Sequence, residues 1–318
     1  MGHDRPARPR GSGGGHRRAP ARPRRRHRGG RGGGGVTDQA ASLRAAGAGV
    51  SPLLRPRRRV VAVTGGKGGV GKSTIAVNLA AAWARRGARV CAVDGDAGMA
   101  DLNLLLGVAP SHSLADLLAG VPIEEILVAA HGVHLLPALN GSFALANLDD
   151  LARSRLWAAL GTLAPRFDSL VIDTAAGIGA GTMGLAGAAA DIVVVARAEP
   201  LSLADAYACI KVLAQRERVR QVFVLANDVR SPSDADEVYG RLRVLVARFL
   251  GIDLVALPPV PRDPAIADAA AAGEPVVTQR PDSPAARAIH AVARALDALA
   301  APAVAVGPLA GFVRGDES

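Results

Sequence analysis

The sequence predicts an α/β fold, a doubly wound and mostly parallel sheet flanked by helices. Three observations carry that prediction. Short β-prone apolar runs alternate with segments of helical spacing from Val60 to Leu299, which is the pattern of strand–crossover–strand units. The first run, Val60-Val61-Ala62-Val63, enters a glycine loop, and beyond it Ile75, Val77, Leu79, Ala82 and Trp83 continue at near-helical spacing. Acidic residues then follow the ends of later apolar runs, where a parallel sheet gathers its ligands.

At 318 residues and 49% apolar content, the chain can bury one large α/β core or two small ones. No run of 18 apolar residues occurs, so no segment is expected to span a membrane, and the expected location is cytoplasmic. Cys91 and Cys209 lie in apolar surroundings and read as small buried hydrophobes in a reducing compartment. The seven histidines are scattered and no C-x-x-C is present, so neither a metal nor a cluster site is indicated.

Taken in order, residues 1–35 hold eleven Arg and one acid, Asp4, among Gly and Pro. They cannot bury a core and are expected to be disordered, and without an apolar stretch they are no secretory signal. Two readings stand for them: a basic arm for RNA or an acidic surface, or a stretch ahead of the true start, since the composition changes abruptly at Val36 and a GTG codon can initiate. Without the tail, 27 basic residues face 27 acidic ones. The formal charge of +10 therefore gives no ground for nucleic-acid binding by the folded part. Residues 36–59 comprise a short helix over 37–46, with Thr37 or Asp38 as N-cap, and a Gly-, Pro- and Arg-containing linker over 47–59. A helix this short is marginal alone and orders on a partner.

Residues 60–300 form the expected domain. After the first strand, loop and helix, apolar runs predict strands at Arg89–Val93, Val133–Leu136, Ser169–Asp173, Ile192–Val195, Gln221–Ala226 and Asp253–Leu257. Helices are expected near 112–130, over Leu148–Ala164, from a glycine-rich turn to Ala190, and over Leu201–Gln215, Asp234–Phe249, Pro264–Ala272 and Pro284–Leu299. Residues 301–318 contain Pro302, Gly307, Pro308 and Gly311, one base (Arg314), and Leu309, Phe312 and Val313 as a small apolar face. That is a poor membrane-docking helix.

Chemistry concentrates in the glycine loop. Gly66, Gly71, Lys72 and Ser73 fit G-x-x-x-x-G-K-[ST], in which backbone N–H groups surround phosphate oxygens, the lysine serves the phosphates and the hydroxyl serves Mg²⁺. The cradle spans Gly66, Lys67, Gly68, Gly69, Val70, Gly71, Lys72, Ser73 and Thr74, with the phosphates on a helix N-terminus. Lys67 is surplus to that pattern. It reads either as a solvated loop charge or as a side chain reaching a phosphate, including that of a facing subunit. The run Leu170-Val171-Ile172-Asp173 delivers a carboxylate to the sheet edge, where it can hold Mg²⁺ through water opposite Ser73. Gly177 permits close backbone approach to the γ-phosphate. Asp96, in the segment from Asp94 to Asn103, is the candidate to orient or deprotonate an attacking water and to touch the Mg²⁺ shell. Asp101 and Asn103 read equally as switch residues or helix caps, and Asp191 as a cap or turn residue.

Gly66-Lys67-Gly68-Gly69-Val70-Gly71-Lys72-Ser73 resembles the deviant phosphate loop of the MinD/ParA ATPases, and the segments 94–103 and 173–178 resemble their switches. The resemblance covers residues 60 to about 299. It implies a P-loop NTPase fold, ATP and Mg²⁺, and an ATP-dependent homodimer in which Lys67 contacts the partner's nucleotide, Lys67, Lys72 and Asp96 are catalytic with Asp96 positioning water, and slow hydrolysis resets the monomer. It also places Asn227 and the segment Pro261-Arg262-Asp263 at the adenine. Two further stretches are similar to the FlhG branch of that family, also called FleN or YlxH. They are Asp38-Gln39-Ala40-Ala41-Ser42-Leu43-Arg44 and Glu199-Pro200-Leu201-Ser202-Leu203-Ala204-Asp205-Ala206-Tyr207-Ala208-Cys209-Ile210-Lys211. This implies that Asp38, Gln39, Leu43 and Arg44 stimulate the GTPase FlhF, and that the protein controls flagellar number and placement. The further partners implied are a flagellar transcription regulator or a switch-complex protein, with weak docking at the membrane surface. The competing reading is a ParA-type ATPase that binds DNA to segregate or position cargo, which the balanced charge of residues 36–318 weakens. An iron–sulphur carrier lacks its cysteine pair here.

Overall fold

The structure is a computed structural model, and it describes residues 59–96, 101–138 and 150–299. At its centre lie β1 (Arg59–Thr64), β5 (Ser169–Thr174) and β6 (Asp191–Ala196), every residue of each buried. Two-residue alternation splits β1 between the faces of the sheet. Val60 and Ala62 enter one apolar core while Val61 and Val63 enter the other. Such runs are apolar throughout because helices cover both faces of a parallel sheet.

The strand order is β3-β4-β2-β5-β1-β6-β7-β8, with β2 at Val90–Gly95, β3 at Val128–Ala130, β4 at Val133–Leu136, β7 at Gln221–Val229 and β8 at Asp253–Ala256. Every pairing is parallel except β3 with β4. On one face pack α1 (Lys72–Ala84), the short α2 (Leu102–Leu105), α9 (Pro264–Ala272), α10 (Val276–Gln279) and α11 (Pro284–Ala298), burying Trp83, Leu102, Ile289, Val292 and Leu296. On the other lie α3 (Leu114–Leu118), α4 (Ile123–Ile126), α5 (Asp150–Leu163), α6 (Ala180–Gly187), α7 (Pro200–Arg216) and α8 (Pro232–Phe249), burying Leu160, Met183, Ile210 and Leu242. The fold is thus the doubly wound, mostly parallel sheet the sequence predicts.

Four expectations change. The helical reading of 112–130 gives way at Val128, where the chain turns into a hairpin through His131 (φ 51°) and Gly132 (φ 80°). Left-handed geometry at both turn residues is what a two-residue hairpin requires. Gln221–Ala226 runs on to Val229, because β9 (Val260–Pro261) pairs beside Asn227 and Val229 across an irregularity at Asp228. Neither α2 nor α10 was expected from the periodicity. Finally, Asp191 is no cap or turn residue. It opens β6, is buried, and forms an ion pair with Arg59 at the start of β1. Arg59 Nη2 also donates to the Leu299 carbonyl at 2.8 Å, so this charge pair ties the end of the chain's last described helix to the middle of the sheet.

The helix expected over 37–46 and the tail over 301–318 lie outside the described residues. Among the described residues, no helix is long and apolar enough to cross a membrane.

Candidate functional site

The loop between β1 and α1 sits at the carboxyl end of the central strand, flanked by β5 and β6. Its glycines are dictated by what surrounds them. A Cβ on Gly66 would lie 2.1 Å from the Asp205 carbonyl oxygen in α7, and one on Gly71 would lie 2.3 Å from the Asn227 amide nitrogen. Gly71 also has φ 97°, which side chains rarely adopt. From there α1 begins with no side-chain cap and no acidic residue in its first turn. The first amides of α1 are the unsatisfied donors of a helix N-terminus, the natural seat of a phosphate.

Lys72 is buried, and its Nζ donates to the Lys67 carbonyl at 3.4 Å. Its ammonium therefore lies folded back over its own loop. Lys67 points elsewhere, its Nζ 3.3 Å from Glu199 Oε2 at the start of α7. Gly68 and Gly69 lie between the two lysines in sequence, and Gly69 (φ 74°) is left-handed with open space about its Cα.

Asp173 stands beside Val63 of β1 and opposite Asp94 of β2 in register. Both carboxylates are buried. Burial raises Asp173 to about 8, reinforced by the charge of Asp94; the Ser73 hydroxyl and the Lys72 ammonium pull it down. Neither Asp173 oxygen accepts a hydrogen bond of full geometry, the Ser73 hydroxyl being only near enough to lower it. A buried carboxylate without partners, beside a loop hydroxyl and a lysine, is the donor set that a hydrated Mg²⁺ would complete, so the residues present fit the ion. Asp94 differs: burial raises it to about 7, but its oxygens accept the N–H groups of Asp96 at 3.1 Å and Leu102 at 3.3 Å. Asp94 thus anchors both sides of the segment that carries Asp96. Asp96 is half-buried, and its charge raises both Asp173 and Asp101, which puts it in the same cluster. Asp101 occupies the N-cap position of α2 without a side-chain cap bond, and Asn103 lies inside that helix. Gly177, past the end of β5, has φ 99°.

On the far side of the loop, Asn227 Nδ2 donates to the Val70 carbonyl at 2.8 Å, while its Oδ1 is buried without a partner. Pro261 in β9 lies alongside β7. Asp263 caps α9, its two oxygens accepting from the Ala265 and Ala285 amides at 3.0 Å each. Though desolvation acts to raise it, these amides together hold it below the usual carboxylate value. The structure therefore brings the loop, Asp96, Asp173, Gly177 and Asn227 to one end of the sheet, with Asp263 committed to capping.

Among the neighbours, Arg197 and Asp228 stand outside every motif, while Thr174, Glu199 and Arg262 lie in stretches whose resemblance does not foretell what they touch. Thr174 Oγ1 donates to Thr64 Oγ1 at 2.9 Å, bracing β5 to β1 under the loop. Glu199, Arg197, Asp228 and Arg262 form a line of charges beside it. Arg197 and Glu199 follow β6, Asp228 lies inside β7 and Arg262 follows β9, so nothing local in the sequence joins them.

A family model described as ParA, NUBPL iron-transfer P-loop NTPase, matches residues 57–297. The antiactivator FleN of Pseudomonas aeruginosa is 37% identical over 257 residues, 80% of this chain and 92% of that protein. The flagellum site-determining protein YlxH of Helicobacter pylori is 33% identical over 186 residues, 58% of this chain and 63% of its own. Among solved structures, the septum site-determining protein MinD of Pyrococcus horikoshii, complexed with Mg-ADP, superposes with a TM-score of 0.62 at 27% identity, covering 76% of this chain and 96% of that one.

Proposed function

Because this chain belongs to the ParA family of P-loop NTPases, we propose that it is an ATP-hydrolysing switch of the MinD/ParA type that regulates flagellar number and placement. The observation that carries the reading is the division of labour between two lysines of one loop. Lys72 is buried against its own loop, whereas Lys67 is part-exposed and turned outward to Glu199. A lysine that faces away from its own cradle supports a role at a second subunit. The flagellar assignment rests on likeness to FleN and YlxH.

In this reading the amides from Gly66 to Thr74 and the Lys72 ammonium bind the ATP phosphates. Ser73 would hold Mg²⁺ directly, and Asp173 and Asp96 would hold it through water. The ion, when bound, neutralises charge on the phosphate oxygens and orders them. Asp96 orients the attacking water and accepts its proton, on a segment fixed at both sides by Asp94. Gly177 lets the backbone approach the terminal phosphate. Asn227, with its free buried Oδ1, and the segment Pro261–Asp263 bound the adenine, Asp263 acting through the α9 cap that it forms. Lys67 reaches the nucleotide of the partner in an ATP-dependent homodimer, and slow hydrolysis returns the monomer.

The output in this reading is the helix over 37–46. Asp38, Gln39, Leu43 and Arg44 engage a FlhF-type GTPase and stimulate it, while the folded domain addresses a flagellar transcription regulator or a switch-complex protein. The chain works in the cytoplasm and at the inner face of the membrane. Two measurements test this. Lys72→Ala is expected to abolish ATP binding and turnover without unfolding the chain. A peptide spanning Thr37 to Ala46 is expected to raise GTP turnover by the FlhF-type enzyme, and the Gln39→Ala peptide to fail. Equal inertness of the two peptides removes the GTPase arm, and salt-dependent retention of a chain starting at Val36 on duplex DNA favours the segregation reading instead.

A further inference from the structure

The outward lysine is already occupied. Lys67 Nζ lies 3.3 Å from Glu199 Oε2, and the other Glu199 oxygen is 3.7 Å from Arg197 Nη1. Arg197 also pairs through Nη2 with Asp228. The same Asp228 carboxylate receives Arg262 through two bonds of 2.7 Å, to Nε and Nη2. Five charges thus run without a break from the phosphate loop to the strand irregularity beside Asn227. Asp228 sits there at φ 58°, a conformation Asp tolerates better than most residues. The carboxylate that holds Lys67 is thereby shared with an arginine anchored on the opposite side of the site.

We propose that Glu199 is a positioning residue that latches Lys67 in cis, so that Lys67 must leave Glu199 before it can serve a second subunit, and that Arg197 sets the strength of the latch by competing for the same carboxylate. The inference deepens the dimer reading given above and rests on it. Both partners are part-exposed, with side chains 34% and 44% accessible, so one pair shifts an equilibrium by about two- to fivefold. A symmetric dimer opens two latches at once, so the dimerisation constant changes by the square, about four- to twenty-five-fold.

The test uses the full chain in sedimentation-velocity titrations with ATP and Mg²⁺, with circular dichroism to confirm that each variant is folded. Glu199→Gln is expected to tighten the dimer by about four- to twenty-five-fold, and the gap from wild type is expected to narrow as salt screens the pair. Arg197→Gln leaves Glu199 to Lys67 alone and is expected to weaken the dimer. Opposite signs from two neighbouring substitutions are not what loss of local packing produces. An unchanged constant for Glu199→Gln, a gap indifferent to salt, or weakening by both variants overturns the latch while leaving the dimer intact. A wild-type chain that stays monomeric at saturating ATP overturns the dimer reading itself, and the latch with it.

Discussion

Gly66 has no room for even one methyl group. Its missing Cβ would meet backbone of α7 at 2.1 Å, and backbone cannot step aside as a flexible side chain can. Gly66→Ala is therefore expected to cost about 1–3 kcal/mol or more and to abolish binding of a fluorescent ATP analogue, with thermal unfolding and fluorescence as the two readouts. At Asp173 the expectation concerns protons. Burial lifts Asp173 to about 8 and Asp94 to about 7, against 3.8 in the open chain. The folded, metal-free chain thus binds protons that the unfolded chain releases. Stability is complete below the unfolded value and falls as pH rises through the folded ones. Denaturation in EDTA should show a loss on the order of a few kcal/mol between about pH 5 and pH 8, and Asp173→Asn should flatten that slope. A curve for Asp173→Asn as steep as wild type would sink the assignment. Lys72, Ser73 and Asp173 were legible in the sequence because spacing and a strand end mark them. Glu199 was not legible as the partner of Lys67, because the two are 132 positions apart and only the order of strands makes them neighbours.

Among the elements, the most consequential join is at the start of β1. The Arg59–Asp191 pair is buried and links β1 to β6, while Arg59 also holds the carbonyl that follows α11. Burial pushes Asp191 up and Arg59 pulls it back. Removing Arg59 leaves a carboxylate in the core with no counter-charge. Arg59→Met is expected to lower stability by about 3–5 kcal/mol, and adding Asp191→Leu to recover much of the loss, as read by urea denaturation. A double variant no more stable than the single would show that the pair is not the cause. From sequence, Asp191 looked like punctuation before an apolar run. The misreading arose because a charge at a strand start resembles a turn residue until its partner, 132 positions earlier, is known. The β3–β4 hairpin escaped for a related reason: His131-Gly132 lacks the Asn or Asp that usually announces such a turn.

At the scale of the molecule, the parallel sheet sets phosphate loop, Asp96, Asp173 and Asn227 at one end, while Arg59 and Leu299 meet at the other. Charge is partitioned as well, since the excess of +10 belongs to residues 1–35 and the remainder balances at 27 against 27. A chain starting at Val36 is therefore expected to lose any low-salt retention on DNA that the full chain displays, as a salt-gradient column would show. Sequence alone determined the alternation of strand and helix, the phosphate loop and its surplus lysine, because these depend on local periodicity and on residues close together in the chain. Tertiary structure decided what that lysine touches, which carboxylate is left unpartnered and how Arg59 joins β1 to β6 and to Leu299. Those outcomes depend on strand order and burial, and no window of neighbouring residues contains either.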